Sequence, residues 1–349
     1  MTLLNLIAIK SCGTRRVKFC RGISLLAVFA LSAALVPVFG TPYHVSFFFF
    51  LFIAIVLAET YDILAGFTGY INLGHAAYFG LGAYVFGITI KSGGGIVLAL
   101  ALPPLLTVAF AVMISYPLFR LRGAYFAIAT FGVLKMMEVL ASNLRDLTGG
   151  TTGLSIPPTV STAATFYIAE GLCFAAIILN ASIGYSRLGL GLLTTREDEE
   201  VAEGSGVNTA QIKICAMALS ALLPSLAGAA YMWQTTYIDP ASAFGSAAAF
   251  TPVIMAILGG SGTVLGPVIG AVFLTIVEEA LWSHVGYLQL TMYGVVLVCV
   301  GIFMPGGLMR SRLFARLYGW IGLSDHYGYQ PSWLLRIKSE SANRHGEHL

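Results

Sequence analysis

The chain has 349 residues, of which 57% are hydrophobic and only 10% charged. A soluble domain carries roughly a quarter charged residues, so these proportions exclude one and set the class as a polytopic, all-α transmembrane protein. The net charge of +3 gives no reason to expect a nucleic-acid partner, and Cys12, Cys20, Cys173, Cys215 and Cys299 are too scattered for a disulfide framework or a metal site.

Residues 1–21 carry Lys10, Arg15, Arg16, Lys18 and Arg21 and precede an apolar run over 22–40. The layout resembles a secretory signal, but the run is longer than a signal core and ends at Pro37, Gly40 and Pro42 as a helix would. It is read as a retained first span. Each crossing needs about 20 apolar residues, and further candidates follow at 45–66, 76–91, 96–118, 123–142, 164–183, 211–236, 248–260, 264–283 and 287–304. About ten crossings put both termini on one side. With that side cytoplasmic, Lys91 and Arg145 alone lie outside, Lys135 lies within a span, and every other Lys and Arg is inside, as the positive-inside rule requires. The chain then divides into a cytoplasmic segment 1–21, a membrane domain 22–304 with a cytoplasmic loop at 184–210, and a cytoplasmic tail 305–349.

Two stretches do not read as plain spans. Gly66–Ala83 holds five glycines with Thr68, Asn72 and His75, and Leu258–Ala271 follows a span of only about 13 residues. Irregular backbone at membrane depth survives only where protein buries it or a wet cavity receives it. Glycine-interrupted segments in matching positions of two halves are a mark of a transport pathway between internal repeats. Charges within spans mark function or a paired contact. Glu59 and Asp62 share a helical face in the second span, and Lys135 and Glu138 are three apart in the fifth. The simpler expectation is that Lys135 and Glu138 satisfy each other and that Glu59 and Asp62 face other helices; a proton relay is the alternative. His75 has no partner at metal-ligand spacing and reads as a packed, hydrogen-bonded residue. The chain holds neither a Gly-x-Ser-x-Gly elbow nor a phosphate loop. It is therefore expected not to be an enzyme and to bind no cofactor; ATP-driven transport would need its motor on another polypeptide.

The densest charge in the chain is at 196–206, where Glu197, Asp198, Glu199, Glu200 and Glu203 lie between two apolar runs. Thr194 and Glu197 have capping-box spacing, the acids complement a helix dipole, Arg196 and Glu200 are four apart, and Gly204 and Gly206 supply a stop. These features predict a helix of about nine residues, about 13 Å long, too short to be stable alone and suited to a docked partner. A solvated connection between spans is the plain alternative.

Glu200-Val-Ala-x-x-x-Gly206 is similar to the Glu-Ala-Ala-x-x-x-Gly loop of ABC-importer permeases. Ser186-Arg-Leu-Gly189, Arg196-Glu-Asp-Glu199 and Gly206-Val-Asn208 resemble the cytoplasmic loop of branched-chain amino acid permeases of the Liv type. Gly69-Tyr-Ile-Asn-Leu-Gly-His75 and the residues that follow to Tyr84, Arg122–Thr130, Leu147-Thr-Gly-Gly150 through Leu154, and Leu258-Gly-Gly-x-Gly-x-x-x-Gly-Pro267 match the same family in order. The resemblance spans roughly residues 45 to 310 and favours the M-type over the H-type subunit.

The resemblance implies an ABC permease bundle in the bacterial inner membrane that imports branched-chain or related amino acids. It also implies a second, H-type permease, two ATPase subunits that carry ATP and magnesium, and a periplasmic binding protein. On it, Thr68, Gly69, Asn72, Gly74, His75, Thr148, Gly149, Gly150, Gly260 and Gly266 are assigned to the substrate pathway, and Arg196, Glu197, Asp198, Glu199, Glu200 and Gly206 to ATPase coupling. Two departures bear on these assignments. Leu190 and Leu193 stand where relatives often carry arginines, and Glu59-Thr-Tyr-Asp62 replaces an apolar run. Urea and short-chain amide permeases share the signature, and a stand-alone proton-coupled transporter using Glu59, Asp62 or Glu138 is the rival class.

Overall fold

A computed structural model describes residues 40–158 and 162–285 together with positions 37, 294 and 295; the side chains of 281–285 are outside the described set. The expected segment 1–21, nearly all of the span at 22–40, the span at 287–304 and the tail lie outside the described residues. Within them the regular structure is helical apart from one small ribbon. The helices are α1 (Pro42–Thr68), α2 (Ala76–Lys91), α3 (Ile96–Leu118), α4 (Ala124–Asn143), α5 (Arg145–Thr148), α6 (Thr162–Tyr185), α7 (Arg187–Glu197), α8 (Glu199–Gly204), α9 (Thr209–Thr235), α10 (Pro240–Phe244), α11 (Ser246–Gly259) and α12 (Gly266–Val285). The ribbon, absent from the sequence expectation, pairs β1 (Leu154–Ser155) antiparallel with β2 (Tyr237–Ile238), Leu154 opposite Ile238.

Six helical stretches among the described residues are long and apolar enough to cross a membrane: α1, α3, α4, α6, α9 and the α10–α11 pair. The expected count of about ten is therefore not confirmed. Helices α2 and α12 coincide with two more of the expected segments. The expected short span at 248–260 starts earlier than its hydropathy suggested. Asp239 accepts from the Ser242 amide, Pro240 takes the first helical position, and an extended Gly245 separates α10 from α11.

Helices α1 and α9 form the interior, whereas α3 and α4 turn large apolar side chains such as Val97, Leu105, Met113, Ile128 and Val139 outward. Tight crossings hold the bundle together. A Cβ on Gly82 of α2 would sit 2.1 Å from the Ser225 carbonyl oxygen of α9, and one on Gly228 would sit 2.0 Å from the Phe79 oxygen. Such backbone-to-backbone approach is how membrane helices gain dispersion energy where no hydrophobic drive separates them from lipid. The α11–α12 hairpin closes in the same way, with a Cβ on Gly259 meeting the Gly266 oxygen at 1.7 Å.

The 27-residue α9 sets the scale of the bundle, about 40 Å at 1.5 Å per residue. One of its ends adjoins α7 and α8; the other continues into β2 and so into the ribbon with β1.

Candidate functional site

At the α7–α8 end, α1 stops where Gly69 turns left-handed at φ 75° and its amide bonds the Ala65 carbonyl. The chain then runs without helix to Ala76. Asn72 accepts from the Gly74 amide at 3.0 Å, and Leu73 N donates to Thr130 Oγ1 of α4 at 3.1 Å. The Gly74 backbone lies against the Thr130 carbonyl, where a Cβ would come to 2.5 Å. His75 is buried, hydrogen-bonded to Thr60 Oγ1 at 3.1 Å and flanked edge-on by Tyr61 and Tyr78. These contacts match the packed, hydrogen-bonded environment expected of it. Thr68 turns back on its own helix and donates to Leu64 O at 2.6 Å.

The intramembrane acids separate into distinct environments. Glu59 is buried against α6 and accepts from Asn180 Nδ2 at 2.5 Å. Asp62 reaches the other glycine-rich segment: Ser261 Oγ donates to its Oδ1, and the Gly262 amide to both oxygens at 3.0 and 3.1 Å. That route is open because Gly66, one turn on, has no side chain; a Cβ there would lie 2.6 Å from the Asp62 carboxylate. Lys135 and Glu138 pair at 2.7 Å on the outer side of α4, with side chains 36% and 27% exposed.

The charged connection departs from its expected form. Ser186 caps α7 by accepting from the Gly189 amide, and α7 runs through Thr194, which bonds back to Gly191 O and begins nothing. The actual cap is Asp198, extended at φ −159°, which accepts from the amides of Glu200 and Val201 at 2.9 and 3.2 Å. The predicted nine-residue helix is therefore a six-residue α8, and the break at Asp198 removes the helical i, i+4 register of Arg196 and Glu200. Gly206, at φ 84°, lies just past its end.

Two basic side chains tie this connection to the glycine-rich segment at 66–75. Arg196 Nη1 donates to Gly66 O at 2.6 Å. Glu199 pairs with the buried Lys213 of α9, whose ammonium sits 5.4 Å from the Tyr70 ring and 5.5 Å from Phe119; Arg122 approaches the other oxygen of Glu199 at 3.8 Å. Glu197, Asp198, Glu200, Val201, Glu203 and Leu190 remain on the exposed side.

The structure thus draws Thr68, Gly69, Asn72, Gly74, His75, Gly260 and Gly266 to the end of the bundle where Arg196 and Asp62 meet. Thr148, Gly149 and Gly150 lie elsewhere. Thr148 donates to Ala141 O and Leu144 O, and the turn runs directly into β1, at the ribbon end. Sequence reasoning missed Ser261, Lys213 and Asn180. Lys213 could have been found as a basic residue in the first turns of an apolar helix; an asparagine and a serine in apolar or glycine-rich surroundings carry no comparable signal. Among the described residues no group of three or more His, Cys, Asp or Glu is placed to hold a metal ion.

The family model for the branched-chain amino acid transport system permease component matches residues 43–301. The high-affinity branched-chain amino acid transport system permease protein LivM of Salmonella typhimurium is 27% identical over 289 residues, covering 74% of this chain and 68% of the relative. LivM of Escherichia coli matches to the same extent. The autoinducer 2 import system permease protein LsrC of Yersinia enterocolitica is 24% identical over 272 residues, with 74% and 75% covered. No solved structure matches the chain.

Proposed function

The chain belongs to the family of permease components of branched-chain amino acid transport systems, and from that membership we propose that it is the M-type permease subunit of an ATP-driven importer. Such permeases are multi-pass membrane proteins and not themselves enzymes. In this reading the chain sits in a bacterial inner membrane with both termini cytoplasmic and pairs with an H-type permease. Two ATPase subunits with ATP and magnesium dock from the cytoplasm, and a periplasmic receptor delivers a branched-chain or related amino acid. The substrate crosses by alternating access.

The observation that carries this reading is the construction of the charged connection. Its inner side is pinned to the pathway-candidate segment by Arg196 and Lys213, and its outer side presents Glu197, Glu200 and Glu203 around the exposed Val201 and Leu190. One face is thereby left for a partner and the other is mechanically tied to the membrane helices. Both oxygens of Asp62 are engaged, by Ser261 and the Gly262 amide, which favours structural duty for it over a proton site of a stand-alone transporter.

The test is Glu200→Arg in the reconstituted system of both permeases, the two ATPase subunits and the receptor. The substituted permease is expected to insert normally, to lose co-purification with the ATPases and to lose uptake. Uptake that persists and dissipates a proton gradient would establish the rival class. Cargo is read from the receptor: leucine, isoleucine and valine are expected to bind it, whereas binding of urea, a short-chain amide or autoinducer 2 in their place reassigns the substrate.

A further inference from the structure

Three segments remote in sequence meet at one point. The hydrogen bond from Arg196 to Gly66 O joins residues 130 apart, and those from Ser261 and Gly262 to Asp62 join residues 199 and 200 apart. Asp62 and Gly66 are successive turns of α1, so the two sets of bonds share one rigid element. Gly66 is buried and is approached from two sides. The Asp62 carboxylate passes beneath it, and a Cβ on Gly262 would stand 3.4 Å from the Gly66 oxygen and 3.7 Å from Arg196 Nη1. The guanidinium, the last turn of α1 and the 260–266 turn therefore form a single layer. At 2.6 Å the bond from Arg196 is short and charge-assisted, of the stronger kind.

We propose that Arg196 is a positioning residue, and that with Asp62 and Ser261 it forms a latch through which movement of α7 and α8 is passed to both glycine-interrupted segments. The proposal rests on the importer reading for its purpose, but not for its geometry. Arg196 sits in the last turn of α7, so a partner that shifts α7 and α8 displaces the guanidinium. That displacement pulls on the Gly66 carbonyl, and α1 carries it through Asp62 to Ser261 and the Gly262 amide. Arg196 thereby leaves the set of ATPase-contact residues and joins the transmission. Arginine suits the post because its charge is permanent and its planar fork can hold a carbonyl while reaching a neighbour. Asp62 suits the opposite post because one carboxylate can accept from a hydroxyl and an amide together.

Two measurements on the full complex of both permeases, the ATPases and the receptor test the latch. The first is substrate imported per ATP hydrolysed; the second is hydrogen exchange at the Gly262 amide. Arg196→Ala is expected to lower the first and raise the second by about tenfold each, the effect of one lost charge-assisted hydrogen bond. Arg196→Lys is expected to recover part of both. An Arg196→Ala complex with wild-type exchange at Gly262, or with a wild-type transport ratio, overturns the latch. If Arg196→Ala does not assemble, Ser261→Ala takes its place, and a wild-type ratio there overturns it equally. A wild-type complex without substrate-stimulated ATP hydrolysis would instead refute the importer reading, leaving exchange at Gly262 to decide the latch alone.

Discussion

Lys213 shows how a single charge can organise a membrane protein's aqueous end. Its side chain is 3% exposed, lies beside the Tyr70 and Phe119 rings, and is neutralised by Glu199. Removing one partner of such a pair leaves the other charge unsatisfied, a loss larger than the pair itself contributes. Glu199→Gln, which strands the buried Lys213 ammonium, is expected to cost about 3 kcal/mol in thermal unfolding of the purified protein, and Glu199→Gln with Lys213→Met to recover most of it. Equal stabilities of the single and double variants would rule out the ion pair as the cause. The density of acids at 197–203 was plain in the sequence, but their division of labour was not. Asp198 caps a helix, Glu199 pairs inward, Glu203 accepts from Thr209 at 2.5 Å, and Glu197 and Glu200 face outward. Carboxylate side chains take these different posts according to which cations and amides the fold brings within reach.

At the scale of elements, close approach decides more than hydropathy does. Helices α2 and α9 touch backbone to backbone through Gly82 and Gly228, whereas none of the described residues lies within 4 Å of a Cβ on Gly132 of α4. Gly228→Val should therefore destabilise the bundle by about 3 kcal/mol, the upper range for overpacking. Gly132→Ala should be neutral or raise stability by about 0.5 kcal/mol, because alanine loses less backbone entropy in a helix. Melting of the purified chain in detergent measures both, and comparable losses at the two sites would contradict the packing described. The helices at 45–66, 96–118, 123–142, 164–183 and 211–236 were legible because each is a long apolar run, and the observed ends differ from them by only a few residues. The misplaced cap was not legible: Thr194 and Asp198 are both good candidates by type, and the choice fell to Ser186, whose earlier cap carries α7 through Thr194.

For the molecule as a whole, the α7–α8 connection and the β1–β2 ribbon terminate opposite ends of α9, so they should lie on opposite sides of the membrane. In a cysteine-free background, Val201→Cys is expected to react with an impermeant maleimide only in inside-out vesicles, and Ser242→Cys, beyond the ribbon, only in right-side-out ones. Labelling of both from one side would break the opposed placement, and the reverse pattern would break the charge-derived orientation. Both positions are exposed, so access to the thiol is set by sidedness.

By itself the sequence determined the membrane class, the position of most helices, the two glycine-interrupted segments and the acidic connection. Each of these is a local property, set by hydropathy over a single helix length or by residue type over a few positions. Only the tertiary structure decided that Thr148–Gly150 lies apart from the other pathway candidates, that Asp62 holds Ser261 and Gly262, and that Arg196 reaches Gly66. Those bonds join residues 130 to 200 positions apart, and a hydrogen bond between such residues depends on helix crossings that backbone packing at glycines sets and that no local pattern encodes.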